Sequence, residues 1–225
     1  MKIGIIAALD CEMLEFCRDF GAFETKHFGV FEGKCSGHDV YICLAGVGKV
    51  NAAANTQRLI DLFDVDCVIN SGVAGCISRN LGVCDIAISE ELTYHDFYPI
   101  DVLDKYAPNT SVFRADEKLI DLAKEACEKI TDAGFRYAGG MIVTGDQFVE
   151  DSNVVSRLRN DYDALCTEME GAAVAHVCVL NKTPFVVIRA MSDNADENAD
   201  MSFNEMAAIA AKRASFVASY IISNL

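Results

Sequence analysis

No apolar run in this sequence approaches the ~20 residues of a membrane span. Its one leader-like stretch, "MKIGIIAALDCE", is cut short by Asp10 and Glu12, with no small-residue cleavage pattern behind it. Positive charge is scarce: 19 lysines and arginines stand against 34 acidic residues, for a net charge of −15, and the basic residues gather nowhere into a patch. That balance repels phosphate backbones, so neither nucleic acid nor an anionic membrane is an expected partner. Histidine is limited to four residues, and no CxxC pair occurs among the ten cysteines, so no zinc site and no other metal is expected. The cysteines sit inside apolar runs such as "YICLAG" and "DCVIN". They read as reduced thiols acting as small buried hydrophobes, which suits a cytoplasmic chain. The two glycosylation sequons, at Asn109 and Asn181, carry no weight in that setting. With three prolines, no internal repeat, no low-complexity tract and no Pro/Gly/Ser linker, residues 1–225 are expected to form one domain with a substantial core.

What the sequence does contain is alternation of short apolar runs with longer amphipathic stretches. Strands are expected at 2–9, 39–45, 66–71, 83–88, 136–143, 163–167 and 184–191, where runs are short and β-branched. Helices are expected at 10–20, 48–63, 116–130, 153–160, 169–181 and 203–223, the last opening on Ser202 with Glu205 three residues on, as in a capping box. The order argues for an α/β class: a three-layer sandwich with a mostly parallel, mixed central sheet flanked by helices. Residues 93–113 hold two of the three prolines and five aromatics, and read as a long loop, a candidate lid or partner surface.

In parallel α/β sheets ligands bind beyond the C-terminal strand ends. Read only there, the sequence yields Glu12 in "LDCE", then "AGVGKV", "NSGVAGC", "TGDQFV", "EMEGAA" and "SDNAD". "GVGK" fails as a phosphate loop: Cys43 stands where the first glycine belongs and Val50 where a hydroxyl should meet magnesium. Asn51 likewise replaces the third glycine of a dinucleotide fingerprint. Glu168 and Glu170 open a small-residue helix, where its dipole alone accounts for acidic residues as well as a grip on substrate hydroxyls does. For "SDNADENAD" a cation loop, a solvated loop and a catalytic acid compete. The spacing lacks the central glycine and distal glutamate of an EF-hand, and Asp196, Glu197 and Asp200 read as solvent-facing. Asp193, directly after the strand with Ser192 beside it, is the candidate acid, because a half-buried carboxyl among other carboxylates holds a proton more readily than one in water.

Together "MKIGIIAALDCE", "AGVGKVNAA", "INSGVAG", "TGDQFV", "EMEGAAVAHV" and "PFVVIRAMSDNAD…SF" resemble, in order and from residue 1 to about 223, the 5′-methylthioadenosine/S-adenosylhomocysteine nucleosidases of the purine nucleoside phosphorylase superfamily. The resemblance implies hydrolysis of the N-glycosidic bond with no cofactor. Asp193 would protonate adenine N7 with Ser192 orienting it, and Glu12 would activate a water that Arg189 helps to hold. Glu170 would bind ribose hydroxyls, with Met169 lining the sugar. Phe148 would pack on adenine and Val149 read its edge through the backbone. Val73, Ala74 and Gly75 would run along base and sugar, and Leu9, Val47 and Phe203 would line apolar parts. A homodimer is implied, the partner completing the 5′ pocket through the loop around Phe97, Tyr98 and Tyr106. The chain departs from the pattern at Val73, where serine is common, at Cys76, where glycine is, and along 96–112. The rivals are a phosphorylase of the same fold, another nucleosidase acting on 5′-deoxyadenosine or futalosine-like substrates, and a non-catalytic nucleoside-binding protein.

Overall fold

The computed structural model describes residues 1–132, 134–195 and 199–225, the side chains of 199–205 excepted. The chain runs β1 (Lys2–Ala7), α1 (Asp10–Asp19), β2 (Phe23–Glu24), β3 (Val30–Cys35), β4 (His38–Leu44), α2 (Lys49–Phe63), β5 (Cys67–Cys76) and β6 (Ile86–Tyr94). A 3-10 helix (Ile100–Lys105) leads to β7 (Phe113–Arg114), α3 (Glu117–Glu128), β8 (Tyr137–Thr144), α4 (Ser152–Tyr162), β9 (Cys166–Glu168), α5 (Gly171–Asn181), β10 (Phe185–Asp193) and α6 (Ala199–Asn224).

β5 organises the sheet. It lies parallel to β1 on one edge and to β10 on the other. Beyond β1 the sheet continues through β4, β3 and β2. β10 passes antiparallel to β6, β6 parallel to β8, and β8 parallel to β9. β1 stops pairing at Asn70, so the last residues of the longer β5 keep a free edge, and there Gly75 and Cys76 pair antiparallel with Thr167 and Cys166 of β9. That pairing closes β5, β10, β6, β8 and β9 into a ring. The expected simple sandwich is corrected accordingly: the class is α/β with helices outside, but the strands form a closed barrel with a β1–β4–β3–β2 extension. The sheet is mixed, as expected, but not mostly parallel, since β6, β8 and β9 run opposite to β5 and β10.

Burial explains why the apolar runs read as they do. Every residue of β10 is buried, and no polar face alternates with the apolar one, because helices, α6 above all, cover the outer side of the ring while its inner side faces the other barrel strands. α6 crosses β10 and β5 and meets α1 and α3, while α2 packs on α5. α5, "GAAVAHVCVLN", is small-sided and buried over most of its length. Side chains such as Ile5, Ile69 and Ile188 are fully enclosed, each contributing ~1.5–3 kcal/mol by burial.

Several boundaries differ from expectation. β5 extends through Gly72 and Gly75 to Cys76, and β6 continues to Tyr94 past a register shift between Ser89 and Glu91. Residues 93–113 are accordingly not one loop but a strand end, a 3-10 helix and the short β7. The β2–β3 pair had no sequence signal strong enough to separate it from the surrounding turn residues. The Ser202–Glu205 cap and the solvent-facing assignment of Asp196, Glu197 and Asp200 fall outside the described side chains.

Candidate active site

One cavity of about 380 Å³ opens where the ends of β1, β5, β9 and β10 meet the segments following β4 and β8. It is lined by Glu12, Glu170, Arg189, Ser192 and Asp193, by Leu9, Val47, Val73, Ala74 and Gly75, and by Phe148, Val149 and Met169. Every residue that the resemblance placed at the catalytic and substrate site is thus brought to one place, except Phe203, whose side chain is not described; Phe97, Tyr98 and Tyr106 do not line this cavity. Ala8, Gln147 and Thr167 also line the cavity and were not selected, and so does Glu168, which the sequence left open between a helix-dipole acid and a substrate contact.

Glu12 stands in the first turn of α1 and is buried. Its Oε2 accepts from the N–H of Ala8 at 2.8 Å and of Leu9 at 3.0 Å, and its Oε1 from the N–H of Val73 at 2.9 Å. The carboxylate therefore both caps its own helix and binds β5. Burial nonetheless pushes its pKa up, against the opposing pull of Arg189 and those N–H groups. Gly72 explains how Arg189 comes so near: a Cβ there would lie 2.5 Å from Glu12 Oε1 and collide with Arg189 Nη1. Only glycine lets the two charged groups converge over the strand.

Arg189 is 1% exposed. Its Nη2 donates to Asn70 Oδ1 at 2.6 Å and to Glu168 Oε2, and lies 3.4 Å from Glu170 Oε2; its Nη1 donates to the carbonyl of Val73 at 3.3 Å. Burial alone would lower its pKa, but Glu168, Glu170 and Glu12 hold it above the ordinary value.

The two glutamates ahead of α5 divide the roles the sequence left open. Glu168 Oε2 accepts from the N–H of Glu170 at 3.1 Å and of Gly171 at 2.7 Å, and its Oε1 from Thr144 Oγ1, so it closes the helix N-terminus and neutralises Arg189. Gly171 permits this, because a Cβ there would sit 3.0 Å from Glu168 Oε1. Glu170 makes no capping bond in α5; its Oε1 accepts from Gly48 N–H at 2.8 Å and its carboxyl borders the cavity. Burial first, and the charges of Glu168 and Glu12 after it, raise its pKa to about 7 despite Arg189.

At the far end Ser192 and Asp193 belong to β10 itself rather than following it, and Asp193 is buried, at 2% exposure, rather than half-buried. The ladder with β5 pairs Met191 with Ala74 and then Asp193 with Gly75, so Ser192 is the extra residue of a bulge. Bulges re-aim side chains, and here Ser192 Oγ donates to Asp193 Oδ2 at 2.7 Å. Asp193 Oδ1 accepts from Ala195 N–H at 2.8 Å. Glu12 is bound at Val73 and Asp193 sits against Gly75, so about 7 Å of strand separates the two attachment points.

The lining thus carries four carboxylates, and among the described residues its one cation is Arg189, already engaged by Glu168 and Glu170. No His/Cys/Asp/Glu group among the described residues has the arrangement of a metal site. Such a surface favours a ligand on which positive charge develops, and among the described residues it offers no free guanidinium or ammonium to clamp a dianion. Val47 and Phe148, each 45% exposed, stand at the mouth.

A fold with this ring and this cavity defines a class, and the chain belongs to it: residues 2–223 match the phosphorylase superfamily. Within that superfamily it is 39% identical to a 5′-methylthioadenosine/S-adenosylhomocysteine nucleosidase of Haemophilus influenzae (strain PittGG), over all of both chains. The crystal structure of the nucleosidase of that name from Neisseria meningitidis, in complex with methylthio-immucillin-A, superposes with a TM-score of 0.91 at 35% identity, covering 100% of this chain and 99% of the other. A native futalosine hydrolase of Helicobacter pylori superposes with a TM-score of 0.90 at 30% identity, covering 100% and 98%.

Proposed function

We propose that the protein hydrolyses the N-glycosidic bond of 5′-methylthioadenosine and S-adenosylhomocysteine, releasing adenine and the 5-thio-substituted ribose. The full-length likeness to nucleosidases of that name supports the substrate class. The observation that carries the choice of water over phosphate is the charge of the cavity: four carboxylates, with its one described cation already paired.

In this reading Asp193, held by Ser192, gives a proton to adenine N7, so the base leaves neutral. Positive charge grows on the ribose ring, and Glu170 holds the sugar hydroxyls while the surrounding carboxylates stabilise that charge. A water on the opposite face attacks C1′ and passes its proton to Glu12, whose burial makes it a stronger base than an exposed glutamate. Arg189 keeps Glu168 and Glu170 in place and borders the water's site. Glu12 then gives up that proton to solvent and Asp193 takes one from it, balancing the cycle. Phe148 and Val149 would enclose adenine, Val73 to Gly75 and Met169 the nucleoside's flank, and Leu9, Val47 and Phe203 the apolar thioether. The exposed Phe97, Tyr98 and Tyr106 support a homodimer in which a second copy completes the 5′ end. Residues 1–225 act as a single domain, and no helix among the described residues is long and apolar enough to cross a membrane.

The futalosine hydrolase likeness favours one second reading, a different 5′ substituent on the same reaction. Free adenine measured after incubation with methylthioadenosine, S-adenosylhomocysteine, 5′-deoxyadenosine and a futalosine-type nucleoside separates them. Release from the two thioethers at the highest kcat/KM supports the first reading, and base release from the futalosine-type compound alone overturns it.

A further inference from the structure

The "GVGK" stretch that fails as a phosphate loop has another use. The N-terminus of α2 is closed by carboxylates from two other segments: Gly48 N–H donates to Glu170 Oε1 at 2.8 Å, and the next N–H, that of Lys49, to Asp146 Oδ1 at 2.9 Å. Gly48 adopts φ 99°, and a Cβ there would press on Asp146 Oδ1 at 3.2 Å. Lys49 Nζ lies 2.6 and 2.7 Å from the two carboxylate oxygens of Asp96, and 3.6 Å from Asp146 Oδ2. Asp146 N–H completes the circuit on Asp96 Oδ2 at 2.8 Å. Three segments, those following β4, β6 and β8, are joined in this way.

None of the three charged residues lines the cavity, yet Lys49 and Asp146 stand within two residues of what does, and Asp96 bonds to both. Lys49 follows Val47 and Gly48, and Asp146 precedes Gln147, Phe148 and Val149. We propose that Lys49, Asp96 and Asp146 are positioning residues: their interlock keeps Gly48 N–H on the Glu170 carboxylate and keeps the Phe148–Val149 wall against Val47. The inference rests on the proposed function only in taking Glu170 as the sugar's partner. A solvent-exposed ion pair would contribute little, but this one is knitted by two backbone N–H bonds. Its lysine side chain is 23% exposed and that of Asp96 28%. Burial pushes the Asp96 pKa up, but the bonds from the Lys49 ammonium and from the Asp146 N–H outweigh it and hold the carboxyl below its ordinary value.

Two variants test it, K49M and K49R. Glu170 faces Arg189, Glu168, Glu12 and the Gly48 N–H, and that N–H lowers its pKa. Loss of the interlock should therefore move the Glu170 titration, followed in ligand-free protein by carbon NMR of the side-chain carboxyl, upward from about 7 in K49M. For methylthioadenosine, K49M should lose about tenfold in kcat/KM, mainly through KM, with K49R restoring most of it. An unmoved Glu170 titration with wild-type kinetics overturns the proposal. So does an equal loss in both variants that follows a fall in Tm without a titration shift, since that marks a purely structural contact. If the wild type releases no adenine, the proposed function falls, and the Glu170 titration by itself decides for or against the interlock.

Discussion

Gly72→Ala places one methyl group where two charged side chains already meet. The new Cβ would lie 2.5 Å from Glu12 Oε1 and inside contact distance of Arg189 Nη1. A flexible side-chain end could normally swing away, but these cannot. Arg189 is 1% exposed and bonded to Asn70, Val73 and Glu168, while Glu12 is tied by three backbone N–H groups. Overpacking a site of this kind costs ~1–3 kcal/mol, which at ~2–4 °C per kcal/mol for a chain of this size lowers Tm by roughly 2–12 °C. Relief requires moving the carboxylate or the guanidinium by about 1 Å, and a displacement of that size costs on the order of 100-fold in turnover. Thermal melting and adenine release from methylthioadenosine read the two effects. A Gly72→Ala protein with wild-type Tm and wild-type turnover would refute the convergence of Glu12 and Arg189 over β5.

Asp193→Asn should lower kcat by ~10²–10⁴ through loss of the proton donor while nucleoside binding persists; unchanged turnover removes Asp193 from that role. Glu12→Gln should abolish hydrolysis yet retain inhibitor binding. Because its amide nitrogen must face N–H donors, ~1–3 kcal/mol of stability should go with it, and lost binding would instead mark Glu12 as only a cap. Glu170 has a pKa of about 7 in the fold against 4.5 free, so its contribution to stability is present below pH 4.5 and is lost as pH rises through 7. Glu170→Gln, uncharged throughout, should accordingly gain ~1–3 kcal/mol on the wild type between pH 5 and pH 8 in denaturant unfolding; a gain that shrinks with pH contradicts the burial argument. Thr167 Oγ1 is buried without a hydrogen-bond partner among the described residues, so Thr167→Val should hold or raise Tm, and a fall would reveal a bond to that hydroxyl.

Much of the site was legible because its residues stand at strand ends, where an apolar run breaks abruptly into Glu, Asp or Gly. Asp193 and Glu12 announce themselves in that way, whereas Glu170 was singled out only by the resemblance. Glu168 did not separate from a helix-dipole acid, since its second task, neutralising Arg189, depends on a strand two elements later in the chain. Asn70 and Thr144 were invisible for the same reason: a polar residue inside an apolar run carries no mark of the partner it will meet. The elements were readable from periodicity, but ring closure was not. It depends on β5 outrunning β1, and the glycines that permit β5 to continue read locally as the end of a strand.

The nucleophile is where the account is most exposed. Purified protein should release adenine from methylthioadenosine at the same rate in phosphate-free buffer and in phosphate, with free 5-methylthioribose as the other product. Release that stops without phosphate, or a sugar 1-phosphate formed in its presence, would contradict a cavity built to use water.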